Sequence, residues 1–210
     1  MTDRTLDTLG RVEDLTPPPT PDGSFRVGFV PGVMPGKWER IWGERERRPL
    51  ALVLTEVEDQ AAHLRDGRLH MCFVRGEADR EFDKAEFHLI PLYREQPVVV
   101  VGLEHPVAAY DEVDVGELAD EHDVLVANPG LPVRYAVETV AAGTGIVILP
   151  MSLARLHHRK DAVWRPVTGV EEDYPVGLAW IKGRAGDEDE AAIQTFIGIV
   201  RGRGVNSSRG

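Results

Sequence analysis

The sequence predicts an α/β fold built on a parallel sheet, and three observations carry that prediction. Between Phe25 and Val74, β-rich runs alternate with helix-like runs in the order strand, helix, strand, helix, strand. Between Val133 and Pro150, a one-sided helical stripe passes through Gly143 and Gly145 into Ile146 to Leu149, an apolar run with the length and branching of a strand covered on both faces. The chain has 210 residues, of which 42% are hydrophobic, enough for one large domain or two small lobes.

Phe25 to Val30 alternates and is rich in β-formers, which makes it the first strand. Pro31, Gly32, Val33, Met34, Pro35 and Gly36 interrupt it, and helical spacing resumes at Lys37 to Trp42. There Trp38, Ile41 and Trp42 fall at i, i+3 and i+4, an aromatic stripe wide enough to cover either the sheet or another chain. Leu50 to Leu54 is the second strand, Val57 to Asp66 a helix closed by Gly67, and Leu69 to Val74 the third strand. This order implies parallel strands with helices on both faces. Phe87 to Gly102 reads as two consecutive extended pieces limited by Pro91 and Pro97, a segment able to cross between lobes. Glu104 to Ala108 is a turn and Val115 to Ala119 a short helix. Asp123 to Ala127 is a strand running into Asn128, Pro129 and Gly130. Pro132 suits the first turn of the helix that follows and Gly143 its end. Ser152 to His158 is helical, Val163 to Val167 extended, Tyr174 to Trp180 a strong last strand, and Glu190 to Val200 a terminal helix. Residues 1 to 24 hold the proline-rich Thr16 to Gly23 and read as a flexible tail, with Leu6, Leu9, Val12 and Leu15 spaced for one short helix; Gly202 to Gly210 reads as a frayed tail.

Ligands of parallel sheets sit beyond the carboxyl ends of the strands. That rule selects Pro31, Gly32, Val33 and Met34 after the first strand and Arg75 after the third, where a guanidinium suits a carboxylate ligand by bidentate bonding or sits in a salt bridge. Asn128, Pro129 and Gly130 open a helix and form a second candidate contact, and Thr144 offers a side-chain donor among turn amides.

Phosphate cradles are excluded by order and identity. A dinucleotide loop runs strand, glycines, helix; here helix precedes glycines and strand, and Ile148 stands where a third glycine is required. Gly36-Lys37 ends like a Walker loop, yet Pro31 replaces its first glycine and Trp38 its Ser or Thr. Adjacent His157 and His158 lack metal-ligand spacing, and no nucleophile elbow, zinc-protease motif or glycosidase carboxylate pair is present. No catalytic residue, metal or cofactor is expected. Cys72 lies between Met71 and Phe73 as a packed strand residue, unable to form an internal disulfide. A net charge of -11 argues against direct nucleic-acid binding by this chain alone. The apolar runs are too short to span a membrane and no leader precedes them, so the expected location is the cytoplasm.

Several motifs, each weak alone, follow one another in order from about Phe25 to Arg201: Phe25 to Val30, Leu64-Arg-Asp-Gly-Arg-Leu-His-Met-Cys-Phe-Val74, Pro91 to Glu95, Glu104-His-Pro106, Ala142 to Pro150, and the final strand and helix. Together they resemble the effector-binding (substrate-binding) domain of LysR-type transcriptional regulators, a two-lobed, Rossmann-like fold similar to type 2 periplasmic binding proteins. The resemblance implies lobe one at 25–95 plus 176–201, an inserted lobe two at 96–175, and an effector cleft between them. It also implies a homodimer that sets the helix near Trp38 to Trp42 and the following strand against the partner's second lobe.

Two features depart from that family. His70 stands where Asp is usual, which puts one local hydrogen bond in question. Such regulators also carry an N-terminal winged helix-turn-helix, which 24 residues cannot encode, so the expectation is a truncated regulator or a free-standing sensor. The function implied is small-molecule effector sensing, with an anionic metabolite as the favoured ligand. An enzyme using Arg75 and a histidine on the same fold, or a carrier protein, are the alternatives.

Overall fold

The computed structural model describes residues 23–76, 82–170, 174–183 and 186–202. The short helix expected at Leu6 to Leu15 and most of both tails lie outside them. Two sheets organise the chain. The first is ordered β2-β1-β3-β9-β4, from β1 (Phe25–Phe29), β2 (Leu50–Leu54), β3 (Met71–Arg75), β4 (Phe87–Glu95) and β9 (Tyr174–Ile181). The second is ordered β6-β8-β5-β7, from β5 (Pro97–Gly102), β6 (Val113–Asp114), β7 (Val147–Pro150) and β8 (Ala162–Thr168). The chain crosses between them at Gln96 and again between β8 and β9.

The parallel pairing expected for the first three strands is found, within a sheet that is mixed overall. β1 pairs in parallel with β2 and β3, but β9 is antiparallel to both β3 and β4. The reason is topological: β4 runs up to the crossover and β9 comes back from the other sheet at that same edge, with Glu95 opposite Tyr174. A strand entering there has only the downward direction available.

Alternation distributes the core to both faces of each sheet. On β3, Met71 and Phe73 point to one cluster while Cys72 and Val74 point to the other. On β5, Val98 and Val100 face one side and Val99 and Val101 the other. The first-sheet helices are α1 (Gly36–Arg45), α2 (Gln60–Arg65) and, at the end of the chain, α6 (Asp187–Val200). On α1, Trp38 stacks on Phe73 at 4.6 Å and Trp42 on Phe25 at 5.0 Å, while Phe196 of α6 closes the cluster. Both indoles are buried, and Trp42 Nε1 donates to Arg48 O at 2.7 Å. The aromatic stripe therefore belongs to the chain's own core, which corrects its assignment to a dimer interface. Truncating either indole to alanine is expected to remove about 3–5 kcal/mol.

In the second lobe, α3 (Val124–Ala127), α4 (Val133–Ala141) and α5 (Met151–Leu156) complete the fold. The strand expected at Asp123 to Ala127 is instead the helical turn α3. The carboxylate of Asp123 accepts from the N–H groups of Leu125 and Val126 at 2.8 and 3.1 Å, a cap that starts a helix rather than extending a strand. Only Asp123 itself keeps a strand-like bridge, to Ile146.

Candidate functional site

Because β1 and β2 run in parallel, the segments that leave them emerge at one edge, where Thr55 N–H donates to Phe29 O at 2.9 Å. The next residues turn back tightly: Val33 N–H donates to Val30 O at 3.1 Å, with Pro31 and Gly32 in the middle and Gly32 at φ 88°. Proline then glycine in these positions is the signature of a type II turn, so the sequence dictates this loop locally. From the second sheet, Pro150 opens α5, and Met151 N–H donates to Gln96 O at 2.9 Å, so Ser152 is held beside the crossover.

A cavity of about 630 Å³ lies between these elements. One wall comes from Phe29, Pro31, Gly32, Val33, Met34 and Leu54, the other from Ser152, Arg155 and Leu156. The size suits a small organic molecule. At Gly32 the two walls come close: a Cβ there would sit 2.5 Å from Ser152 Oγ and 3.0 Å from Arg75 Nη2.

Arg75 makes three hydrogen bonds within the protein. Its Nε donates to Glu95 Oε2 at 2.7 Å, Nη1 to Pro31 O at 2.8 Å and Nη2 to Ser152 Oγ at 3.0 Å. The side chains of Arg75 and Glu95 are each 8% exposed, so the pair is buried and its mutual neutralisation is what makes the burial tolerable. Arg75 thus ties the first sheet, the crossover and the second lobe together behind the cavity.

The other candidate residues lie elsewhere. Asn128, Pro129 and Gly130 are exposed between α3 and α4, and Asn128 Nδ2 donates to Val124 O at 2.9 Å. They follow an element that runs beside β7 toward the crossover edge, but they do not line the cavity. Thr144 is exposed before β7, at the end of that strand opposite Ser152. A four-residue strand separates them by roughly 10 Å. Leu54, Ser152, Arg155, Leu156 and Glu95 were not anticipated. Leu54 ends a parallel strand and Ser152 closely follows the end of β7, so the same strand-end rule applied to every strand finds both. Glu95 carries no local signal, because its partner is 20 residues away.

His70 sits at the opposite end of the first sheet. Its Nδ1 accepts from the Arg26 N–H at 2.9 Å, so an imidazole supplies the acceptor that was in question. Burial, reinforced by Arg26 and Arg48 and opposed by Asp189, holds its pKa down to about 4, which keeps the ring neutral. Burial also pushes the Cys72 thiol far above its ordinary range, consistent with a packing role. Among the described residues, no group of three or more His, Cys, Asp or Glu could hold a metal ion, and no helix is long and apolar enough to cross a membrane.

Two sheets with two crossovers, and a cavity walled from both, define a two-lobed ligand-binding domain. The sequence matches the LysR substrate binding domain over residues 20–139, and the chain belongs to that family. It is thus an effector-sensing domain of the LysR-regulator type, a family of transcriptional regulators rather than enzymes. Solved structures with the same fold include the effector binding domain of a BenM variant, at 18% identity and a TM-score of 0.69, covering 87% of this chain and 94% of that one. The reduced form of the OxyR regulatory domain from Pseudomonas aeruginosa is 21% identical with a TM-score of 0.66, covering 85% and 97%. Full-length BenM is 18% identical with a TM-score of 0.69, and the match covers 85% of this chain and 66% of that regulator. No curated protein sequence matches.

Proposed function

We propose that this domain binds a small anionic effector in the cavity between its lobes and converts occupancy into a change at the two crossovers. The observation that carries the reading is that one cavity takes walls from both sheets, so a ligand there has differential contact with open and closed arrangements. A similar domain has been solved as "BenM effector binding domain with its effector benzoate", which supports a small organic ligand in this fold. Pro31, Gly32, Val33 and Met34 form the first-lobe side of the proposed site. Arg75 acts behind it as the tie, and Asn128 to Gly130 are a neighbouring loop available on closure. Thr144 is not included, because it is exposed before β7, at the end of that strand away from Ser152, and does not line the cavity.

The reading extends to a homodimer in the cytoplasm. β2 and β7 are edge strands with one neighbour each, and Glu39, Arg40 and Glu44 of α1 are exposed, so these surfaces replace the buried tryptophans as the proposed contact. A stable interface would bury about 1,200–2,000 Å². Light scattering that gave a mass near the 23.2 kDa of one chain would sink the dimer. For the sensor, a metabolite set is screened by thermal shift and hits are mapped by amide chemical shifts. Hits perturbing Gly32, Leu54 and Ser152 without being chemically changed are expected; turnover of a hit, or hits that map only elsewhere, would overturn the reading.

A further inference from the structure

Resting on the reading of this cavity as the effector site, we infer that its ligand is a monoanion with a hydrocarbon body, the anion held between Arg155 and Ser152 and the body against Met34, Leu54 and Leu156. Three observations converge on this class of molecule. Met34, Leu54 and Leu156 are 83%, 58% and 55% exposed, and all three line the one cavity. Apolar side chains left in water next to a concave space gain about 25 cal/mol per Å² when a ligand covers them.

The second observation concerns charge. Arg75 has Glu95 against it and also donates to Pro31 O and Ser152 Oγ, so its charge is already balanced by a carboxylate of the protein. Arg155 differs. It is exposed on the cavity rim, its guanidinium lies 5.9 Å from the centre of the Trp164 ring, and no carboxylate of the described residues pairs with it. None of the lining residues is acidic, although the whole chain carries a net charge of -11.

The third observation is placement. Ser152, Arg155 and Leu156 fall at i, i+3 and i+4 on α5 and so share one face. Ser152 Oγ already accepts from Arg75, which leaves its own proton to donate to a ligand oxygen. One charged donor and one hydroxyl at the lobe-two end, with apolar groups beyond, match a single anionic head. A second charge on the ligand would be buried against Met34 and Leu54 without a partner.

The test uses the full 210-residue chain with hexanoate, hexanamide and succinate as probes, followed by calorimetry and amide-shift mapping. Hexanoate is expected to shift Gly32, Leu54 and Ser152 and to bind about tenfold more tightly than hexanamide, with succinate weaker than both. From propanoate to hexanoate, affinity should rise about fourfold per methylene. Arg155→Gln, at an exposed position, should lower hexanoate to the level of hexanamide and leave hexanamide unchanged, with the melting temperature as a check on folding. Succinate binding the cavity more tightly than hexanoate, or undiminished hexanoate binding by the variant, overturns the ligand class while leaving the sensor reading intact. No cavity shift with any probe overturns the ligand class as well. Hexanoate that binds as described but is chemically converted by the protein supports the ligand class and ends the sensor reading.

Discussion

Arg75 and Glu95 form a buried ion pair at 2.7 Å that joins the end of β3 to the end of β4, one residue before the chain leaves the first sheet. Because the same guanidinium also bonds to Pro31 O and Ser152 Oγ, the pair fixes the back of the cavity from both lobes. The charge on Arg75 is therefore not a free one: Glu95 balances it within the protein.

Replacing Glu95 by Gln keeps the volume but leaves the Arg75 charge buried and unneutralised. The expected loss is about 3–5 kcal/mol in urea unfolding, whereas the double replacement Arg75→Met with Glu95→Leu should lose less, since both desolvated charges disappear. A single-variant loss under about 1 kcal/mol would mean that water reaches the pair.

Gly32→Ala tests the narrow approach of the lobes. The left-handed backbone at φ 88° costs an alanine roughly 1–2 kcal/mol, and its Cβ would also press on Ser152 Oγ from 2.5 Å. Gly143→Ala is the control, because φ is 91° there and a Cβ meets nothing within 4 Å. The Gly32 variant should therefore melt below the Gly143 variant. Equal melting temperatures would show that Ser152 and the α5 end move aside freely.

His70 makes stability depend on acidity in a defined window. Its folded pKa is about 4, against about 6.5 for an unfolded histidine, so between these values the unfolded chain binds more protons. The contribution is fully present above pH 6.5 and is lost progressively as pH falls toward 4. Urea midpoints followed from pH 7.5 to 4.5 should drop more steeply for wild type than for His70→Asn. Parallel profiles would show that the ring is protonated without cost in the folded state.

Local chemistry made much of this fold legible in the chain. The Pro31-Gly32 turn follows from residues with fixed or permissive φ, and the helix at Val133 to Ala141 from a stripe at helical spacing. Among the described residues, Asp123 to Ala127 is misread because it has a strand's composition. There the Asp123 side chain decides the outcome by bonding to two backbone N–H groups, an event that apolar periodicity does not register.

The sequence by itself determined the α/β class, the family resemblance and the first-lobe side of the cavity, because these rest on contacts within a few residues and on strand ends. Tertiary structure decided three other matters. It turned β9 against β3, since a strand returning from the second sheet enters at the crossover edge. It buried Trp38 and Trp42, since helical spacing says which residues share a face but not what that face meets. And it gave Arg75 to Glu95 and Ser152, which are 20 and 77 residues away, so that the charge was neutralised by partners no local pattern could assign.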